Sequence, residues 1–256
     1  MKIIAHLLGF LMLMYLSSNS EKVESKVYNF SNTRVEKTDT GEKRQLIEGE
    51  TTHMENFDIH TIMLETGKVA GENPTNTDSE EIIFVKEGKL KITVNNRSEI
   101  VGPGSVALIM PGDEFNLGNA DKVNTTYYVI KYKSKKPVNN SRGITAGGSL
   151  ILDYDTIKFT LHDKGGIRRY FDRKSAMSER LEVHVTTLNP HITSHEPHTH
   201  LPAEIIIMMK GHTEMIIGDG LFKGEAGDVY FLGSNIPHGI RNIGDGQCMY
   251  LAFQFQ

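Results

Sequence analysis

The segment SHEPHTHLPAEIIIMMKG, residues 194–211, carries His198, His200 and Glu204 in the spacing His-x-His-x3-Glu. Residues two apart on a strand face the same side, so His198 and His200 project together. Glu204 follows a corner at Leu201-Pro202 and opens the apolar run EIIIMM, from which it can project toward them. Downstream, GDVYFLGSNIPHGIRN (227–242) supplies His238 after a turn. Three imidazoles and one carboxylate make a mixed N/O donor set, suited to a divalent first-row metal with one or two open positions. Gathering them inside a fold without a cation would bury polarity at a cost of several kcal/mol. A lone histidine would read as a satisfied core or surface residue; the spaced set does not. Imidazole-rich sites bind zinc, copper or nickel more tightly than manganese or iron, so the donor types leave Mn, Fe, Zn, Ni and Cu all open.

Other groups with chemistry to offer lie close in sequence. In RLEVHVTTL (180–188), Leu181, Val183 and Val185 take one face, and Arg180, Glu182, His184 and Thr186 the other. If the polar face lines the cavity, His184 or Glu182 serves as acid or base and Arg180 holds a carboxylate. The alternative is that this face is exposed or lies at a contact between domains. Glu204 is also a catalytic candidate, beside its role as ligand. Tyr230 and Arg241 are further candidates, and Met208, sharing the parity of Glu204, is expected in the cavity wall. His195 reads as a residue of the cavity mouth or of the solvent-facing surface, and solvent is the expectation. No G-x-S-x-G, P-loop or dinucleotide fingerprint occurs, so acyl transfer and nucleotide chemistry have no support.

The elements that must position these groups are short strands. IHTIML (59–64), EIIFV (81–85), KLKITV (89–94), SVALIM (105–110) and TTYYVIKY (125–132) are separated by Gly, Asn and Pro turns, with no helical periodicity sustained over three turns. Such a pattern predicts an all-β sandwich or barrel. The unit is written twice. A shift of 123 positions places Glu81 on Glu204, Gly88 on Gly211, Gly104 on Gly227, Asn119 on Asn242 and Tyr127 on Tyr250, and a shift one longer places His60 on His184. In the first copy the two histidine positions before the glutamate hold Thr75 and Thr77, and the position of His238 holds Phe115. Only Glu81 remains, and a lone carboxylate does not hold a transition metal against water. His53 and His60 are not expected to replace the missing ligands. One metal ion per chain is therefore expected, in the second copy.

The two blocks resemble the two motifs of the cupin superfamily, Gly-x5-His-x-His-x3or4-Glu-x6-Gly and Gly-x5-Pro-x-Gly-x2-His-x3-Asn. The first runs here through His198, His200, Glu204 and Gly211, and the second through Gly227, His238 and Asn242. With the repeat, the resemblance covers roughly residues 45–256 and is to a bicupin. It implies two tandem jelly-roll β-barrels and a metal held by His198, His200, Glu204 and His238. It implies no particular reaction. There are departures: Ile192 replaces the early glycine, Pro190-His191 replaces a Pro-Gly turn, and Gly233 and Asn235 replace the Pro and Gly of the second motif. Asn tolerates positive φ, so that turn can survive.

The rest of the chain bounds the reading. It has 256 residues, 38% of them hydrophobic and 23% charged, which fits a folded and not a disordered chain. A net charge of −4 argues against a nucleic-acid partner. A single cysteine, Cys248, excludes an intramolecular disulfide and a thiolate-rich zinc site. Lys2, the apolar run IIAHLLGFLMLMYL (3–16) and the exit SSNS read as a signal peptide over residues 1–20, too short for a typical span of roughly 20 residues. The expected organisation is then a polar leader with at most one early strand (21–44), a metal-free first barrel (45–134), a linker (135–149) and a metal-bearing second barrel (150–256). The expected protein is exported to the periplasm or medium, free of the membrane once the signal is cleaved, and compatible with a homodimer. Two functions fit. One is a metalloenzyme (isomerase, lyase, hydrolase or dioxygenase) acting on a small polar metabolite such as a sugar acid, carboxylate or ureide. The other is a non-catalytic cupin that binds a sugar or metal.

Overall fold

Continuous apolar runs such as EIIFV and EIIIMM cannot alternate between core and water, so their strands must be covered on both faces. The computed structural model describes residues 21–70 and 77–256; the signal segment and Thr75 lie outside them. In it Glu80–Glu87 and Ala203–Lys210 sit inside two seven-stranded sheets, nearly every residue buried. One sheet runs, in spatial order, Leu150–Leu152, Val106–Ile109, Glu80–Glu87, Thr125–Ser134, Met54–Leu64, Gly41–Gly49 and Glu36–Thr38. The other runs Lys26–Tyr28, Val229–Leu232, Ala203–Lys210, Cys248–Phe255, Leu181–Leu188, Gly165–Arg173 and Phe159–His162. Each unit is completed by a three-stranded sheet, built on Leu90–Val94 in the first and His212–Ile217 in the second. This is a tandem pair of jelly-roll units, all-β as expected.

The repeat holds at the level of hydrogen bonds. Asn119 and Asn242 do one job: the amide Nδ2 donates to the carbonyls of Leu64 (3.0 Å) and Leu188 (3.2 Å), while Oδ1 accepts from Asp121 and Gly244 N–H. Gly88 and Gly211 turn the chain at φ +76 and +80, where a Cβ would meet Thr125 Oγ1 at 2.6 Å and Cys248 Cα at 2.9 Å. The substituted turns keep the left-handed backbone without glycine, at His191 (φ 59) and Asn235 (φ 60).

The polar leader is more structured than its composition suggests. It contributes Lys26–Tyr28, Glu36–Thr38 and the start of Gly41–Gly49, where at most one strand was expected. Lys26–Tyr28 pairs antiparallel with Val229–Leu232 of the second unit. Reciprocally, Leu150–Leu152 pairs with Val106–Ile109 of the first. Each unit thus covers an open edge of the other, which removes two templates for wrong pairing. The linker carries a short helix, Asn140–Thr145, capped by Asn139.

The outer faces of the two large sheets pack on each other. Phe57, Ile82, Phe84 and Tyr132 from the first unit share one apolar cluster with Val183, Ile205, Phe231, Phe253 and Phe255 from the second. Tyr128 donates to Gly227 O (2.6 Å) and Tyr170 to Gly104 O (2.7 Å), a matched pair of ties at equivalent glycines. Glu80, fully buried at this junction, accepts from Ser175 Oγ (2.6 Å) and Ala176 N–H (2.7 Å). Burial pushes its carboxyl above the ordinary range, against these bonds. The inward faces form separate cores, one per unit, each open toward a cavity.

Candidate metal centre

The backbone brings the ligands together before any side chain is considered. His198 and His238 form an antiparallel bridge, with N–H to O distances of 3.1 and 3.0 Å in the two directions. Asn235 N–H donates to His200 O (2.8 Å), fixing the turn before His238 against the His-x-His segment. The ligand atoms of His198, His200 and His238 all lie within 4.8 Å of one another. Glu204 stands in register with Gln254 on one side and Leu232 on the other, and its parity with Ile206 and Met208 aims it inward. Its Oε2 is 3.2 Å from His200 Nε2 and 3.3 Å from His238 Nε2. The structure therefore brings all four predicted metal ligands to one point.

The imidazoles are oriented from behind. His200 Nδ1 contacts Pro202 O (2.7 Å) and His238 Nδ1 contacts Ile236 O (2.8 Å), so each Nδ1–H donates to a carbonyl and each Nε2 keeps its lone pair. Among the described residues, His238 Nε2 is buried and makes no hydrogen bond. A basic nitrogen left so, beside a buried carboxylate, is what a cation would satisfy. Burial alone would raise the Glu204 carboxyl, but its close contacts with the imidazoles of His200 and His238 outweigh that and bring it to about 2. The contact with Glu204 pushes His200 up. His198 is pushed down, first by partial desolvation and then by the imidazoles of His195, His238 and His200, which favours the neutral form that ligates. Donor types, orphaned nitrogen and ionised carboxylate all fit a divalent transition metal.

A cavity of about 340 Å3 opens onto this cluster. Of the polar face of 180–188, His184 and Thr186 line it and Glu182 does not, while Leu181, Val183 and Val185 join the core between the units. His184 Nδ1 lies 3.3 Å from Glu182 Oε1, outside hydrogen-bond geometry, and this contact above all holds the Glu182 carboxyl below its ordinary range. Arg180 does not line the cavity. Its guanidinium is held by both oxygens of Asp172 (3.1 and 3.0 Å), by Glu182 and by Gln254 Oε1 (3.1 Å). It reaches the cavity only through Gln254, which does line it.

Among the other candidates, Met208 packs with Ile206 and Met215 in the inner core. Tyr230 is buried against Thr213 (3.1 Å) and Arg241 pairs with Glu214 on the outer face; neither lines the cavity. His195 is exposed yet lines the cavity, its ring 4.3 Å from that of His198. Sequence reasoning missed His162, Lys164, Ser194 and Gln254, which complete the wall. Lys164 sits in the hairpin between Phe159–His162 and Gly165–Arg173 and donates to Ser194 O (2.7 Å). Nothing local in LHDKGG announces that contact; it depends on how the hairpin folds over the mouth.

The Cupin domain family model matches residues 60–131 and 184–253, once in each unit. No curated protein matches the sequence. Solved structures match over nearly the whole chain at low identity. An oxalate decarboxylase from Lactobacillus farciminis, determined as a formate complex, is 15% identical with a TM-score of 0.70, over 91% of this chain and 87% of its own. A putative glyoxylate-induced protein from Pseudomonas aeruginosa is 18% identical with a TM-score of 0.72, over 94% and 92%. Protein Ylba from E. coli is 11% identical with a TM-score of 0.70, over 94% and 95%. At such identities the likeness is one of fold: two cupin units in a single chain.

Proposed function

The chain belongs to the cupin family, and from that premise we propose that it is an exported metalloenzyme whose second barrel acts on a small carboxylate. One observation carries the reading. His198, His200, His238 and an ionised Glu204 converge at the floor of a cavity whose wall holds Lys164, His162 and His195. A cationic and imidazole-rich wall favours an anion over a neutral sugar or a ureide. The oxalate decarboxylase likeness agrees with a carboxylate ligand but by itself speaks only of fold.

A bound divalent ion would supply Lewis acidity toward a substrate oxygen. The chain's own residues do the rest. Glu204, at about 2, is too weak a base for proton transfer near neutrality, so its part is that of a ligand. His184 is the better-placed acid–base: it lines the cavity, with Nδ1 3.3 Å from Glu182 Oε1. Gln254, steadied by Arg180, and Tyr250, which reaches Ser194 Oγ at 3.5 Å, offer neutral hydrogen bonds to orient the bound molecule. Lys164 attracts and anchors its far carboxylate.

The test is binding of oxalate, malonate, glucuronate, glucose and allantoin to the protein stripped with a chelator and then reloaded with each candidate metal. A carboxylate should bind the reloaded protein at least about tenfold more tightly, a difference of about 1.4 kcal/mol, and Lys164→Met should lower that affinity. Glucose binding best would contradict the proposed class. Equal affinity after stripping would favour the non-catalytic binding reading. Export is read from the same sample: the mature chain should start at Glu21, and an intact Met1 would contradict it.

A further inference from the structure

The first unit has a cavity of its own in the place that holds the metal cluster in the second, and its chemistry has changed in a coherent way. It encloses about 250 Å3 and is lined by His60, Glu81, Phe115, Leu117, Tyr127 and Lys131, among others. Strand register makes the correspondence exact, residue for residue. Glu81 pairs with Lys131 as Glu204 pairs with Gln254. Val94 pairs with Phe115 as Ile217 pairs with His238. Val129 pairs with His60 as Ala252 pairs with His184. A ligand histidine has become an apolar wall, and a neutral glutamine has become a fixed cation. Lys131 Nζ stands 3.6 Å from the buried Glu81 carboxylate, so a tethered ammonium supplies the positive charge at this point.

We propose that this cavity is a second, metal-independent binding site, and that it takes a small zwitterion of the amino-acid class. The ammonium and carboxylate that line it lie side by side, too far apart for a direct hydrogen bond. A bare anion would meet the Glu81 charge and a bare cation the Lys131 charge, each in a half-apolar recess where screening is weak. A molecule carrying both charges meets neither repulsion. Its carboxylate faces Lys131 and its ammonium faces Glu81. His60 adds an acceptor on the same side: Asp58 holds its Nδ1, itself gripped by Gln45 Nε2 at 2.5 Å, which leaves Nε2 as the open ring nitrogen. Phe115, Leu117 and Ile62 give an apolar wall for a short aliphatic side chain. The volume lies below the roughly 300–1,000 Å3 of sites for drug-sized ligands, which limits the occupant to a few heavy atoms. The site does not rest on the metal centre or on the reading of its substrate.

The experiment is calorimetric titration of the full, metal-stripped protein with L-valine, isovalerate and isobutylamine, one skeleton carrying both charges, the anion alone and the cation alone. L-valine should bind at least about tenfold more tightly than either. Lys131→Gln installs the residue that the second unit carries at this register, so the fold already accommodates it, and it should weaken L-valine binding at least tenfold. His238→Phe, which disables the other cavity, should leave that binding unchanged. No L-valine binding at millimolar concentration, equal binding of isovalerate or isobutylamine, indifference to Lys131→Gln, or loss on His238→Phe would each overturn the proposal.

Discussion

His238→Ala should bind a divalent transition metal roughly 100-fold or more weakly than the parent chain. Loss of a partner that merely supports a ligand typically costs about 10–100-fold, and His238 is itself placed as a ligand. Its Nε2 is buried 3.3 Å from Glu204 and has no hydrogen bond among the described residues. The same change should abolish the metal-dependent rise in thermal stability, which at 100 times the dissociation constant is about 2.7 kcal/mol. Truncation at a position only 3% exposed also leaves a void, so His238→Phe is the control. The first unit already folds with Phe115 at this register. Both variants should lose the metal, while the phenylalanine variant keeps the melting temperature of the chelator-treated parent. Metal affinity within threefold of the parent in both would contradict the ligand assignment.

Phe57→Ala should destabilise the whole chain by about 3–5 kcal/mol, the range for emptying a large aromatic site in a packed core. Phe57 belongs to the first unit, but its ring stacks on Phe255 (centroids 5.2 Å apart) and tilts against Phe231 (5.7 Å), both of the second. Tyr132 makes the same crossing to Phe253 and Phe255. With an edge strand also exchanged in each direction, neither unit can unfold and leave the other's core covered. Chemical denaturation of the variant should show one transition, shifted as a whole. Two resolved transitions with only the first displaced would show that the units are independent.

The cluster of candidate ligands was legible because its signal is local: His198, His200 and Glu204 lie within one turn and one strand start, and His238 follows a recognisable turn. The repeat was legible because its markers are residues with one physical job, such as Asn119 and Asn242 tying their loops or Gly88 and Gly211 turning where no side chain fits. Alternation along 180–188 separated the two faces of the strand without tertiary information but left open what the polar face meets; His184 and Thr186 of that face line the cavity, and Glu182 does not. Arg180 shares that alternation but stands at the strand's edge, and its partner Asp172 comes from a neighbouring strand that alternation along one segment does not reveal. The exchange of Lys26–Tyr28 was hidden for a similar reason. KVY is a weak strand by itself and gains its structure from an edge some 200 residues away. Lys131 was hidden by bland surroundings: in YYVIKYKS it looks like an ordinary solvent-facing lysine, and only the register with Glu81 places it over the cavity.

The most direct test of the central claim is anomalous X-ray diffraction from crystals of the chain reconstituted with manganese or zinc, collected at the metal's edge. The account predicts one strong peak per chain, bounded by the Nε2 atoms of His198, His200 and His238 and the Glu204 carboxylate, and no peak near Glu81. A peak at Glu81, or an empty cluster in a metal-soaked crystal with those four side chains turned apart, would contradict it.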